Sequence, residues 1–124
     1  GAARVEKHRK MREGKGFMTI EAPFDIQSAL DGIPEAEKKT VLLECLSNLA
    51  ANEIFERHTS SEEVTDKLSD DILQLAAKVN DLIIVSNHFE ITPDFDEETV
   101  IYAKTMDSLN EALGKVCDKI IEIN

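Results

Sequence analysis

The sequence contains few cysteines and no long apolar run, and these absences exclude several classes of protein. Cys45 and Cys117 are the only cysteines among the 124 residues, and they lie far apart in apolar surroundings. We therefore expect two buried, reduced thiols and neither a disulfide nor a zinc or other metal site. No apolar run approaches the roughly 18 residues of a membrane span, and the first residues do not resemble a signal peptide. The expected protein is cytoplasmic and has no membrane span.

The charge of the sequence is unevenly distributed. Apolar residues make up 42% and charged residues 31%, which fits a single domain over residues 1–124. The net charge is −11, but residues 1–16 hold six of the fourteen basic residues against two acidic ones, which leaves −15 for the other 108. Such an acidic domain would repel nucleic acid, so the basic segment suits a small phosphorylated ligand. The alternative is a solvated helix with charge pairs at i,i+3 and i,i+4.

Two short apolar runs predict strands that end in polar side chains. Residues 40–43 form an apolar or β-branched run that ends in Glu44, and residues 82–85 form a second run that ends in Ser86-Asn87-His88. Uninterrupted runs of this kind are typical of strands buried on both faces of a parallel sheet. Ligands of open α/β sheets bind at the carboxyl ends of the strands, so we expect a site there. The alternative for Glu44 is a strand that simply exits to solvent.

Helical periodicity and capping signals predict the other elements. We expect a helix over residues 2–12, a strand over residues 17–22, a short helix over residues 25–30 that Asp25 caps, and a last strand over residues 120–123. Three further helices are predicted to begin with caps at Ser47, at Ser60 with Glu63, and at Asp94 with Glu97. The helix capped by Ser60 is expected to bury Val64, Leu68, Ile72, Leu75, Ala76 and Val79. The helix capped by Asp94 is expected to bury Tyr102, Met106, Leu109, Leu113 and Val116. Strands that alternate with helices predict an α/β fold with a mainly parallel sheet and right-handed crossovers.

Several short segments together resemble one family. In chain order they are Arg4-Val-Glu-Lys-His8-Arg-Lys-Met-Arg12, Met18-Thr-Ile-Glu21, Val41-Leu-Leu-Glu44-Cys-Leu with Asn48, Ile84-Val-Ser-Asn87, Tyr102, Leu109-Asn110 and Cys117-Asp118-Lys-Ile120. Their order and spacing resemble the bifunctional adenosylcobinamide kinase/adenosylcobinamide-phosphate guanylyltransferases of cobalamin biosynthesis. The resemblance spans nearly the whole chain.

The resemblance implies a P-loop-NTPase-like fold and a nucleotide-dependent transferase. Such an enzyme phosphorylates adenosylcobinamide and then joins the phosphate to GMP through a guanylylated histidine. It implies GTP or ATP as a substrate, Mg²⁺, a corrinoid partner, and a homo-oligomer such as a trimer; no bound cofactor is implied. By position, His8 matches the guanylylated histidine. The residues that match nucleotide contacts are Arg9, Lys10, Met11, Arg12, Glu21 and Glu44.

The sequence also departs from the family pattern. The family's amino-terminal strand and its phosphate loop ending in Gly-Lys-Ser/Thr are missing, so the chain resembles the carboxyl-terminal two thirds of the family domain. Three interpretations are therefore open: a fragment of an active enzyme, a natural truncated relative that binds nucleotide weakly or not at all, and a non-catalytic acidic α/β interaction domain. His88 follows the second strand, but the family has a different residue there, so it is not among the expected catalytic residues. His58 is expected to interact with a helix end.

Overall fold

The computed structural model describes residues 19–123. These residues adopt an α/β fold. Two short 3₁₀ turns, Ile26–Ser28 and Ala36–Lys38, precede strand β1, Thr40–Leu43. Helix α1 spans Leu46–Ala51 and continues as a π-helical turn, Asn52–Glu56. Helix α2 (Ser61–Lys78), strand β2 (Asp81–Ile84) and helix α3 (Glu97–Gly114) follow. The helix predicted over residues 2–12 lies outside the described residues.

The two strands form a parallel pair, as predicted. Thr40 is opposite Asp81, and the register runs without interruption to Leu43 opposite Ile84. Parallel neighbours require a crossover, and here the chain between the strands contains α1 and α2. Residues after Leu43 and after Ile84 consequently leave the sheet at the same edge.

The prediction that both faces of these strands are buried is wrong for the described residues. Exposed and half-buried residues alternate along each strand, and Leu42 and Ile83 are 50% and 53% exposed. Leu43, Leu82 and Ile84 pack against the helical core on the other face. The described helices therefore cover one face of the sheet, and an apolar sequence run alone does not reveal which face that is.

The hydrophobic core lies between α1, α2 and α3 and includes one residue of the first 3₁₀ turn. Its members are Ile26, Leu46, Leu49, Ala50, Ile54, Val64, Leu68, Ile72, Leu75, Met106, Leu109 and Leu113. The predicted apolar faces are confirmed at most positions. Ala76 is exposed, because the buried face of α2 passes through Leu75 and Val79 instead. Val116 is 55% exposed because α3 ends before it, at Gly114.

The predicted caps at Ser47 and Asp94 are wrong, and each failure has a local cause. Helix α1 begins at Leu46 after Cys45, because the Ser47 hydroxyl bonds to other side chains and cannot cap. Asp96 caps α3 by accepting a hydrogen bond from the Thr99 amide at 2.7 Å, whereas Asp94 accepts one from the Thr92 hydroxyl. The predicted cap at Ser60 is confirmed, since its hydroxyl accepts from the Glu63 amide at 3.3 Å.

The other corrections concern segments at the two ends of the described region. Asp25 has left-handed backbone geometry (φ 54°) without a side-chain capping bond, and only a three-residue 3₁₀ turn follows it. The described part of the predicted strand over residues 17–22 is irregular, and so is the predicted last strand, where Ile121 is 70% exposed. Apolar β-branched composition forms a strand only where a neighbouring strand supplies hydrogen-bonding partners. Cys45 and Cys117 are free thiols, but the prediction that both are buried is wrong: Cys45 is half-buried where it leaves the sheet, and Cys117 is exposed because α3 ends before it, at Gly114.

Among residues 19–123, no helix is both long enough and apolar enough to cross a membrane.

Candidate functional site

The polar residues that follow β1 and β2 meet at the carboxyl edge of the sheet. The Val85 amide donates to the Leu43 carbonyl oxygen at 3.0 Å, and the Leu46 amide donates to the Val85 carbonyl oxygen at 2.9 Å. These bonds extend the contact between the two strand ends beyond the register of the sheet itself. Glu44 and Ser86 thus both leave the sheet at this edge, as the sequence predicts.

Five side chains at this edge form a connected polar group, which we call the edge cluster: Cys45, Ser47, Ser86, Asn87 and Asn110. Ser47 Oγ lies 2.8 Å from Cys45 Sγ and accepts from Asn87 Nδ2 at 3.3 Å. Asn110 Nδ2 donates to the Asn87 carbonyl oxygen at 3.0 Å, and its Oδ1 accepts from Ser86 Oγ. The cluster joins the ends of both strands to α3. All of its hydrogen-bonding side chains are uncharged.

Three aromatic rings lie next to the edge cluster. The Tyr102 hydroxyl donates to the Ser47 carbonyl oxygen at 3.3 Å. The Tyr102 ring centroid is 5.3 Å from that of Phe89 and 5.8 Å from that of Phe55, and both pairs are tilted, a favourable aromatic arrangement. Burial raises the pKa of the Tyr102 hydroxyl, so the phenol stays protonated at neutral pH. The edge therefore combines neutral polar groups with an apolar aromatic surface.

The two predicted carboxylates occupy different parts of the chain. Glu44 is exposed and directly follows β1, and its peptide bond to Cys45 is cis. Glu21 is exposed in the irregular segment that precedes the first 3₁₀ turn. That segment is connected to the end of α1, because Asn52 Nδ2 donates to the Pro23 carbonyl oxygen at 3.0 Å. The other predicted site residues lie outside the described residues: His8, Arg9, Lys10, Met11 and Arg12.

Two further histidines have distinct surroundings. His88 Nδ1 lies 3.0 Å from Asp107 Oδ1, in a pair that is 68% and 47% exposed. Sequence spacing could not indicate this pair, because the partner is on α3. His58 has left-handed geometry (φ 56°) just after the π-helical turn. It borders an open cleft of about 330 Å³ that is also lined by Ile54, Thr59, Ser60, Ser61, Glu98 and Ile101.

A chain of alternating charges lies on another part of the surface and was not predicted. It runs through Glu53, Arg57, Asp25, Lys67 and Asp71, with contacts between 2.7 and 3.3 Å. Hydrogen bonds from Lys67 and then Arg57 hold the pKa of Asp25 below its usual value. Burial lowers the pKa of Lys67, but its bonds to the two aspartates outweigh this and raise it overall. This chain joins the segment before β1 to α1 and α2.

In the part of the chain that the structure describes, no group of three or more His, Cys, Asp or Glu side chains is arranged to hold a metal ion.

A parallel sheet with polar residues gathered at its carboxyl edge is typical of α/β proteins that bind a ligand there. The cobinamide kinase / cobinamide phosphate guanyltransferase family matches residues 2–123, and the chain belongs to this family. The family consists of transferases of cobalamin biosynthesis that use nucleotide and cobinamide substrates. No curated protein and no solved structure matches the chain.

Proposed function

We propose that this chain binds the nucleotide substrate of cobinamide kinase and cobinamide phosphate guanylyl transfer at the carboxyl edge of a P-loop-NTPase-like sheet. The observation that supports it is the convergence of Glu44 and the edge cluster where β1 and β2 end. Loops at this edge can vary while the sheet holds them in position, so ligand-binding groups collect there. Family membership supplies the chemical class of the ligand.

Glu44 and Glu21 are the proposed carboxylate contacts to the nucleotide. A carboxylate can accept hydrogen bonds from ribose hydroxyls or from base N–H groups, and it can hold Mg²⁺ through water. Mg²⁺ in phosphoryl-transfer sites is usually held by one or two carboxylates together with substrate phosphates and water. Glu44 is exposed and directly precedes Cys45 of the edge cluster, so its carboxylate is placed at the sheet edge where such a contact is proposed. When bound, Mg²⁺ would neutralise phosphate charge.

His8 is the proposed nucleophile of the guanylyl transfer. One imidazole nitrogen attacks the α-phosphorus of GTP, the bond from that phosphorus to the bridging oxygen breaks, and pyrophosphate leaves. The cationic side chains of Arg9, Lys10 and Arg12, with Met11 between them, would attract the triphosphate and offset charge that develops in the transition state. The GMP group then passes to the phosphate of cobinamide phosphate, which regenerates the histidine.

A labelling experiment tests the assignment of His8. The protein, together with a polypeptide that supplies the family's phosphate-loop segment, is incubated with α-labelled GTP and Mg²⁺, and a phosphoramidate should appear as an acid-labile, base-stable label. His8→Ala should abolish the label. The matched control His58→Ala replaces an exposed histidine with no proposed part in the chemistry and should retain it. Label that persists in His8→Ala would show that another residue is the nucleophile.

Phosphorylation of cobinamide is proposed to be absent from a polypeptide of these 124 residues. The sequence contains no Gly-rich loop ending in Gly-Lys-Ser/Thr, whose amides and lysine hold the β- and γ-phosphates for transfer. The assay is transfer of labelled γ-phosphate from ATP or GTP to cobinamide. Product above a control without protein would contradict the proposal.

We also propose that the chain forms a homo-oligomer, such as a trimer, that covers part of its exposed apolar surface. Leu42 and Ile83 on the open face of the sheet are each about half exposed, and burying such side chains is favourable. Light scattering combined with size-exclusion chromatography measures the mass in solution. A monomer at all concentrations tested would contradict this part of the proposal.

A further inference from the structure

Phe55 is partly exposed to solvent and is connected to the candidate site through Tyr102. It lies in the π-helical turn that extends α1, and it is 38% exposed. Its ring packs on one side against Tyr102, at a centroid distance of 5.8 Å. Tyr102 also contacts Phe89, and both of these rings are half-buried. Phe55 is thus the most exposed ring of a supported aromatic cluster.

The polar groups on the other side of Tyr102 from this ring suit the uncharged part of a nucleotide. Tyr102 connects the aromatic cluster to the edge cluster through its bond to the Ser47 carbonyl oxygen. The edge cluster offers hydroxyl, thiol and amide groups and no charge, and Asn87 and Asn110 have both donors and acceptors. Phosphates favour cationic or multiple N–H donors, whereas a base edge or a ribose suits neutral donors and acceptors.

We propose that Phe55 is the surface on which the purine base of the nucleotide substrate stacks, with the edge cluster contacting the base edge or ribose. This inference rests on the proposed function. The size of the surface favours a base over a corrin. Taking about 200 Å² for a whole phenylalanine side chain, the exposed 38% is roughly 80 Å², about one ring face. A corrin ring system is several times larger.

The sequence provides a direct probe of this inference. Tyr102 is the only tyrosine, and there is no tryptophan, so the fluorescence lifetime of the protein in the near ultraviolet reports on Tyr102. A lifetime is insensitive to light absorption by added nucleotide. GTP and ATP are expected to change it, and inorganic tripolyphosphate, which has no base, should leave it unchanged. Tyr102→Phe should remove the signal and thereby confirm its source.

A pair of matched variants measures the contribution of the ring to affinity. Phe55→Leu keeps an apolar side chain but removes the aromatic face, and Phe95→Leu makes the same change at a half-buried phenylalanine before α3. Equilibrium dialysis should show GTP binding at least fivefold weaker in Phe55→Leu, the lower end expected for base–aromatic stacking. Phe95→Leu should bind GTP like the unmodified protein.

The outcomes separate this inference from the proposed function. If GTP binds but neither changes the Tyr102 lifetime nor depends on Phe55, the stacking assignment is wrong and the nucleotide site stands. If cobinamide, and not GTP, produces the change and depends on Phe55, the surface takes the corrin and the inference is overturned. Dialysis that detects no guanine or adenine nucleotide on the unmodified protein would overturn both.

Discussion

Lys67 lies between two carboxylates, and its replacement by methionine should destabilise the fold by about 2 kcal/mol. Its Nζ is 2.7 Å from Asp71 Oδ2 and 2.9 Å from Asp25 Oδ1, and the Asp71 side chain is only 7% exposed. Methionine retains most of the aliphatic stem, so the main loss is the ammonium group. Breaking a fully buried pair costs about 3–5 kcal/mol, since the remaining charge stays buried. Lys67 is 30% exposed and Asp25 49% exposed, so solvent screening reduces that cost.

The assay is urea unfolding followed by circular dichroism, with Lys38→Met as the matched control. Lys38 pairs with Glu35 at 3.2 Å, but the two side chains are 69% and 66% exposed. Exposed pairs contribute between zero and about 1 kcal/mol to stability. The free energy of unfolding of this control should therefore fall by no more than about 0.5 kcal/mol. If the free energy of unfolding falls equally in the two variants, Lys67 does not compensate the buried charge of Asp71 and the reasoning is refuted.

The pH dependence of stability gives a second readout of the same contacts. The pKa of Asp25 is lowered in the folded state, so its contribution is fully present above its usual value of 3.8. That contribution is lost as the pH falls through the lower, folded pKa. The pKa of Lys67 is raised, so its contribution is fully present below its usual 10.5 and is lost as the pH rises through the folded pKa. In Lys67→Met the folded pKa of Asp25 should lie closer to 3.8, so the acid-induced loss of stability at Asp25 should be smaller and should be complete at a higher pH, and the alkaline loss due to Lys67 should disappear.

Two further pairs of variants test the helices and the core. Ser60→Ala should lower the free energy of unfolding by about 1 kcal/mol because it removes the cap of α2. Ser69→Ala should leave the free energy of unfolding nearly unchanged. The buried Ser69 hydroxyl has no hydrogen-bond partner among the described residues, so its removal breaks nothing. Leu109→Ala should cost about 2–5 kcal/mol because that side chain is fully buried, and Ile121→Ala, at 70% exposure, should cost less than about 0.5 kcal/mol. Urea unfolding measures all four, and a reversal within either pair would contradict the assigned burial or capping.

The elements that the sequence predicted well are those with a strong local signal. Helix α2 combines a cap at Ser60 with apolar residues at steps of three and four, and its predicted face is buried at five of six positions. The strand Thr40–Leu43 is bounded as predicted, and β2 begins one residue before its predicted start and ends one residue before its predicted end. The helix and the two strands each form from signals that residues close together in the sequence provide.

The structural features that the sequence did not predict depend on contacts between residues far apart in the chain. The bond between Lys67 and Asp25 joins residues 42 positions apart, and the bond from Tyr102 to Ser47 joins residues 55 apart. Nothing in the local pattern around Asp25 distinguishes an ion-paired aspartate from a helix cap. The edge cluster was predictable only in part, because the strand endings indicate Ser86 and Asn87 but not Asn110 on α3.

The failures of local prediction between Cys45 and Phe55 have a physical reason that bears on function. Ser47 occupies a position suited to capping, yet its hydroxyl accepts from Asn87 and contacts Cys45 in the edge cluster. The α-helical pattern that follows should continue, yet it changes to a π-helical turn that carries the exposed Phe55. A π-helical turn is less stable than an α-helix and is frequent at functional sites. Sequences depart from local preferences mainly where function requires it, so the departures at Ser47 and Phe55 favour a binding role for this stretch over a purely structural one.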